Sequence, residues 1–213
     1  MDKRKKPGNT GKNSISVEPL GSEILKASIL KLPEGQISFD QIVNMLGTRS
    51  FGFALLTFSV PMILPMPPGI PMAAGFAILI FGHQLLLGHS HLWLPNWIMR
   101  KIIERDRLMT AYGVVEKYLG WMFHMARPRL PQLTGSTARR LSGLIFAVLG
   151  LLMILPIPII GNILPAFACT VLALGLTDRD GLIFVIGIGV SVLAISATIL
   201  MGIGAISFLN QIF

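Results

Sequence analysis

Long apolar runs separated by short polar segments set the reading of this chain. The first run covers about residues 51–88, and the second about 143–177. Neither contains Asp, Glu, Lys or Arg. A third, Leu182–Leu209, is uninterrupted and long enough to span a bilayer with tilt. Proline breaks the first two near their centres. Pro61, Pro65, Pro67, Pro68 and Pro71 cannot share one helix, because each interior proline removes a hydrogen bond and crowds the preceding turn. The halves left beside the break are roughly 13 and 17 residues and reach about 20–25 Å, short of a ~30 Å hydrocarbon core. The pattern predicts a helix–break–helix hairpin that dips into the membrane and returns.

The break occurs twice. Met62-Ile63-Leu64-Pro65-Met66-Pro67 returns as Met153-Ile154-Leu155-Pro156-Ile157-Pro158. Arg49 and Gly52 precede the first copy as Arg140 and Gly143 precede the second, and Pro71 and Gly82 find partners in Pro165 and Gly175. The fold expected is all-α: a polytopic integral membrane protein with two proline-broken helical hairpin repeats and a C-terminal transmembrane helix. Its segments are a tail with short helices (1–48), hairpin 1 (49–88), a basic amphipathic interfacial linker (89–139), hairpin 2 (140–177) and the last helix (182–209). Paired broken segments point to discontinuous helices with a site between them.

The flanking segments are polar or mixed. Residues 1–20 show no apolar period. Ile24, Leu25, Ile29 and Leu30 predict a short amphipathic helix over 22–31, ended by Pro33-Glu34-Gly35. Ser38 followed by Gln41 has capping-box spacing before a second short helix. Trp93-Leu94-Pro95-Asn96-Trp97 reads as an interfacial anchor. Leu108, Tyr112, Val115, Tyr118, Leu119 and Met122 follow a helical period, with Glu116 and Lys117 favouring a surface helix over a crossing one. A surface helix makes the two hairpins parallel; a crossing helix makes them inverted. Asp178-Arg179-Asp180-Gly181 reads as a turn at the surface. In the last helix Gly187, Ser191, Ala194 and Thr198 form a stripe of small residues.

Composition agrees with a membrane protein. Of 213 residues 53% are hydrophobic and 13% charged, with mean hydropathy +0.70; soluble domains carry about 25% charge. The basic start Met1-Asp2-Lys3-Arg4-Lys5-Lys6 is followed by polar sequence, so a cleavable signal peptide is not expected. The net charge of +8 lies mostly in the tail and in the region between the two repeats. In a membrane protein such charge marks cytoplasmic segments and contact with anionic headgroups, and no nucleic-acid partner is expected. The lone Cys169 allows no intrachain disulfide and reads as a small buried hydrophobe.

Several of these residues carry a family likeness. The run Leu64-Pro65-Met66-Pro67-Pro68-Gly69, then Gln84-Leu85-Leu86-Leu87-Gly88 with Trp93-Leu94-Pro95, resembles the ExoD family of bacterial membrane proteins. So do Arg127-Pro128-Arg129-Leu130, Leu155-Pro156-Ile157-Pro158, Asn162-Ile163-Leu164-Pro165 and Asp180-Gly181, over about residues 20–205. One departure is His89-Ser90-His91, where a basic stretch is expected. The resemblance implies a role in exopolysaccharide synthesis and a place in the bacterial inner membrane, multi-pass. Nothing in spacing or periodicity points to polysaccharide chemistry.

Candidate chemistry is sparse. His83, His89 and His91 lack the spacing and acidic company of a metal site, and no metal or cofactor is expected. There is no acidic cluster for Mg²⁺ and no phosphate loop before a lysine, so an enzyme is not expected. The breaks remain. Broken helices leave backbone groups unpaired, and helix N-termini attract anions. The expected ligand-binding residues are therefore Pro65, Pro67, Gly69, Pro71, Pro156, Pro158, Gly161, Asn162 and Pro165. Arg49, Arg127, Arg129 and Arg140 would gather an anionic headgroup. Two readings follow. One is a transporter or flippase-like binder of an anionic lipid or lipid-linked glycan. The other is a non-transporting accessory or scaffold subunit docked on polysaccharide synthesis machinery. Membrane lipids are partners in both, and a homo-oligomer is compatible with both.

Overall fold

The structure, a computed structural model, describes residues 36–67, 69–104, 109–110, 113, 117, 120, 134–155 and 159–212. The 22–31 helix, most of the 108–126 helix, and Pro68, Arg127, Arg129, Pro156 and Pro158 lie outside the described residues.

Local chemistry sets the first elements. A strand, β1 (Gln36–Ser38), leads into helix α1 (Phe39–Leu46). Ser38 Oγ accepts from Gln41 N at 3.3 Å, and Gln41 Oε1 accepts from Ser38 N at 3.1 Å, so the capping box forms. The chain then bends by 115° into α2 (Arg49–Ser59), which tightens into a 3-10 turn at Pro61–Ile63. From Leu64 the backbone is extended, and at Gly69 φ is +105°, open to glycine without strain. Helix α3 (Ile70–Leu86) begins there with Pro71 in its first turn, where a missing N–H costs nothing. A helical turn at Asn96–Met99 leads to β2 (Ile102–Glu104), antiparallel to β1 with Ile37 opposite Ile103.

The second half is longer in the helix. Helix α4 runs Ser136–Ile154 and gives way to extended backbone at Leu155. A 3-10 turn at Ile159–Asn162 precedes α5 (Ile163–Asp178), and α6 (Gly181–Ile212) completes the described chain. Helix α4 starts at Ser136, so Arg139 and Arg140 lie within its first turns instead of before it. With 19 residues it rises about 28 Å, nearly a full hydrocarbon core and more than the dipping half-helix expected.

Packing then fixes which ends meet. Helix α4 runs antiparallel to α3, with Gly150 opposite Gly75 and Gly143 opposite Gly82. A Cβ on Gly82 would lie 2.6 Å from Ala147 N and 2.8 Å from Gly143 O, so the two backbones touch. Helix α5 runs antiparallel to α2: Thr177 covers Gly52, and Thr170 Oγ1 donates to Ser59 Oγ at 3.0 Å in a buried pair. Helix α6 lies on α5, with Gly187 against Leu172 and Phe184 over Gly175. Phe51, Leu55, Ile78, Phe146, Leu149, Met153 and Leu172 are fully buried between these helices, as is Cys169. Outward faces carry Phe76, Ile80, Leu144, Leu151, Leu193 and Leu200, exposed in the isolated chain. Such faces suit a lipid surround.

Among the described residues two helices, Ser136–Ile154 and Gly181–Gly204, are long and apolar enough to cross a membrane. The bent pair Phe39–Leu46 and Arg49–Ile63 would be a third if it acts as one span. The described residues are thus mainly helical, as expected, and include a short ladder that hydropathy does not announce. The turn expected over residues 178–181 is present with Arg179 exposed, but its carboxylates are inside: Asp178 is 5% and Asp180 1% exposed. Asp180 Oδ1 accepts from Leu182 N and Ile183 N at 2.9 and 3.2 Å, which folds that carboxylate into the start of α6.

Candidate functional site

The antiparallel pairs sort the expected site residues into two places. The breaks lie at one end of the helices, and the starts of α2 and α4 lie at the other with the ends of α3 and α5. From Arg140 to Leu155 the chain rises about 22 Å along α4. Arg49 and Arg140 therefore stand a bundle length away from the prolines and form no single site with them.

At the break end Pro65, Pro67 and Gly69 are exposed, while Pro71, Gly161 and Pro165 are buried. Asn162 is half-buried at the junction of the 3-10 turn with α5, and its side chain makes no capping hydrogen bond. Its Oδ1 is enclosed and accepts no hydrogen bond from the described residues. An enclosed acceptor left this way costs roughly 1–3 kcal/mol unless a donor reaches it.

At the polar end a loop folds back over the helix ends. Gln84, buried near the end of α3, donates from Nε2 to Trp93 O at 2.9 Å and accepts from Trp93 N at 2.8 Å. Ser50 Oγ accepts from Leu92 N at 3.1 Å, and Leu92 is buried. Trp93 and Trp97 stay exposed, at 57% and 68%, in keeping with an interfacial anchor. His89 Nδ1 lies 3.0 Å from Gln84 O, and His91 Nδ1 lies 3.0 Å from Ser90 Oγ. A side chain at Gly88 would meet Arg140 Nε at 2.8 Å, so Arg140 lies across the end of the opposite hairpin.

Two adjoining cavities open here, and both are lined by Thr48 and Arg139. The larger, about 250 Å³, adds Thr134, Gly135, Leu176 and Arg179. The smaller, about 120 Å³, adds His89, Ser136 and Arg140 among others. Of the two expected arginines among the described residues, Arg140 lines the smaller one, while Arg49 is half-buried in the first turn of α2 and has an interaction of its own. Arg139 and Arg179 were not among the expected site residues. The sequence signal for Arg139 is Gly135-Ser136-Thr137, a polar start before the apolar period. Arg179 has no such signal, because its place depends on how α5 meets α6.

Comparison with known proteins identifies the family. Residues 21–200 match the family described as "Exopolysaccharide synthesis, ExoD". The chain belongs to the ExoD family. It is 27% identical over 165 residues to Protein ExoD of Rhizobium meliloti, covering 76% of this chain and 68% of that one. It is 32% identical over 162 residues to an uncharacterized protein of Synechocystis sp., covering 74% of each. No solved structure matches. The ExoD match takes in both proline breaks and both polar-end cavities, so exopolysaccharide synthesis is the setting in which this geometry has to be understood.

Proposed function

We propose that this protein serves exopolysaccharide synthesis as a multi-pass inner-membrane binder of an anionic lipid or lipid-linked glycan, acting in the manner of a transporter or flippase and not by catalysis. The observation that carries the reading is the paired broken block. Gly52 and Ser59 in α2 stand seven apart, as do Gly143 and Gly150 in α4. Each pair lies against the second helix of the other block, α5 and α3 respectively. This exchange of partners supports two repeats about a pseudo-twofold axis, with Pro67 and Pro158 equivalent. Both hairpins start at the same end, which favours the parallel arrangement. Basic residues at that end support a cytoplasmic placement. At the break end, the half-helix N-termini at Pro71 and Pro165 would receive the anionic group. The enclosed Asn162 Oδ1 would accept from a donor such as a sugar hydroxyl, while Nδ2 donates.

A second reading has its own support. The middle of the bundle is closed: Ile78, Phe146, Leu149 and Leu172 are fully buried, and backbone contact at Gly82 and Gly143 leaves no path between α3 and α4. That dry packing suits an accessory or scaffold subunit that docks on a polysaccharide synthase. Binding decides between them. Purified protein in lipid nanodiscs is titrated with a polyprenyl phosphate, and Asn162→Leu is compared at matched thermal stability. The binder reading expects a tenfold to hundredfold loss of affinity, the worth of a hydrogen bond to a charged group at about 1.4 kcal/mol per decade. Equal affinity removes the break end as a site and leaves the scaffold.

A further inference from the structure

Arginines converge at the polar end in a way the break-end reading does not use. Arg139 lines both cavities, Arg179 the larger and Arg140 the smaller. Among the described residues no carboxylate lines either one. The nearby acids Asp178 and Asp180 are buried and held in interactions of their own. The start of α4 adds to the positive field. Gly135 is its N-cap and Ser136 its first residue; no side chain caps it, and each lines a cavity. The first amides of such a helix lack intrahelical partners and carry the positive end of its dipole.

Arg179 is the most telling of these residues. Its backbone sits at φ 53°, ψ 34°, the only non-glycine positive φ among the described residues. This is the position after α5 where glycine is the unstrained choice. Holding an arginine there costs stability, and strain of this kind persists where a side chain is needed. The larger cavity, about 250 Å³, has room for a phosphate or diphosphate group with part of its hydration.

We propose that this cleft is a binding site for a phosphate or diphosphate group presented at the membrane surface, on a lipid headgroup or on a free solute. The guanidinium groups of Arg139 and Arg179 grip its oxygens bidentately, Arg140 approaches from the Gly88 side, and the α4 amides complete the cradle. The site is independent of Asn162, a bundle length away.

The test uses the full chain in phosphatidylcholine nanodiscs. One arm titrates inorganic pyrophosphate by calorimetry. The other replaces part of the lipid with phosphatidic acid and counts retained lipid by native mass spectrometry. Arg179→Gly should raise the thermal unfolding midpoint and yet lower affinity about tenfold to a hundredfold, opposite movements that a structural role would not give. Arg139→Gln should lose at least as much, and Arg139→Lys should recover part. Lys101→Gln removes the same charge from an exposed position that lines neither cavity, and should bind as wild type. Asn162→Leu should keep full pyrophosphate binding even where it weakens binding of the polyprenyl phosphate at the break end, so the two sites fail separately. Pyrophosphate binding assigns the cleft to free phosphates as well as lipids; retention of phosphatidic acid alone assigns it to headgroups. No binding in either arm, equal affinity in Arg179→Gly, or an equal loss in Lys101→Gln overturns the proposal.

Discussion

At Gly82 one methyl group decides how near two helices can come. The atoms that a Cβ would meet there, Ala147 N at 2.6 Å and Gly143 O at 2.8 Å, are backbone and cannot swing aside. Helix α3 would have to lift off α4. Gly82→Ala should therefore lower the thermal unfolding midpoint in detergent, with overpacking worth about 1–3 kcal/mol. Gly189 in α6 is the comparison, since nothing lies within 4 Å of a Cβ there. Gly189→Ala should be neutral or stabilising by up to about 1 kcal/mol from helix propensity. If the two variants melt alike, the close approach of α3 and α4 is wrong. Such costs are invisible in the sequence, where both are glycines in apolar helices. Cys169 is the opposite case: an unpartnered thiol in an apolar run reads as core, and it is fully buried.

Among the elements, the proline breaks and the first helix were legible. Five prolines near Pro65 and the Ser38–Gln41 spacing have local causes, and α1, α2 and α3 follow from them. The start of α4 was not legible. The apolar pattern marks where a helix is buried, and Thr137-Ala138-Arg139-Arg140 extends the same helix into polar surroundings. The β1–β2 ladder pairs three residues with three, too short for an alternation to register. The burial of Asp180 within the expected turn was not legible, because its partners, two amides of α6, exist only once that helix starts. The loop after α3 depends likewise on a buried Gln84 nine residues before Trp93. Gln84→Leu should leave the Trp93 amide and carbonyl without partners, at about 1–3 kcal/mol. Hydrogen exchange at Leu92 and Trp93 should then speed up while the middle of α3 stays protected. Unchanged exchange at Trp93 would mean that apolar packing of Leu92 holds the loop alone.

For the whole molecule the open question was whether the two hairpins share an orientation, and the polar end bears on it directly. Thr48, Gly88, Ser136 and Arg179 converge on two adjoining cavities, so the starts and returns of both hairpins lie together. Among the described residues, one end is basic and the break end carries no charge, and a membrane has to accommodate both. From the positive-inside rule we expect the basic end to face the cytoplasm. Helix α6 departs from that end with 32 residues, about 48 Å, well beyond a ~30 Å hydrocarbon core. We therefore expect its far end, near Ser207, to emerge at the opposite face. Single cysteines placed in a Cys169→Ala background test this. Ser90→Cys and Ser136→Cys should resist an impermeant thiol reagent in intact cells and react in inside-out vesicles. Ser207→Cys should react in intact cells. Ser90 and Ser136 labelling from opposite sides would require the chain to cross between them, which the shared cavity forbids. Protection of all three in intact cells would keep α6 from crossing, and would force its apolar length to lie against the bundle at one surface.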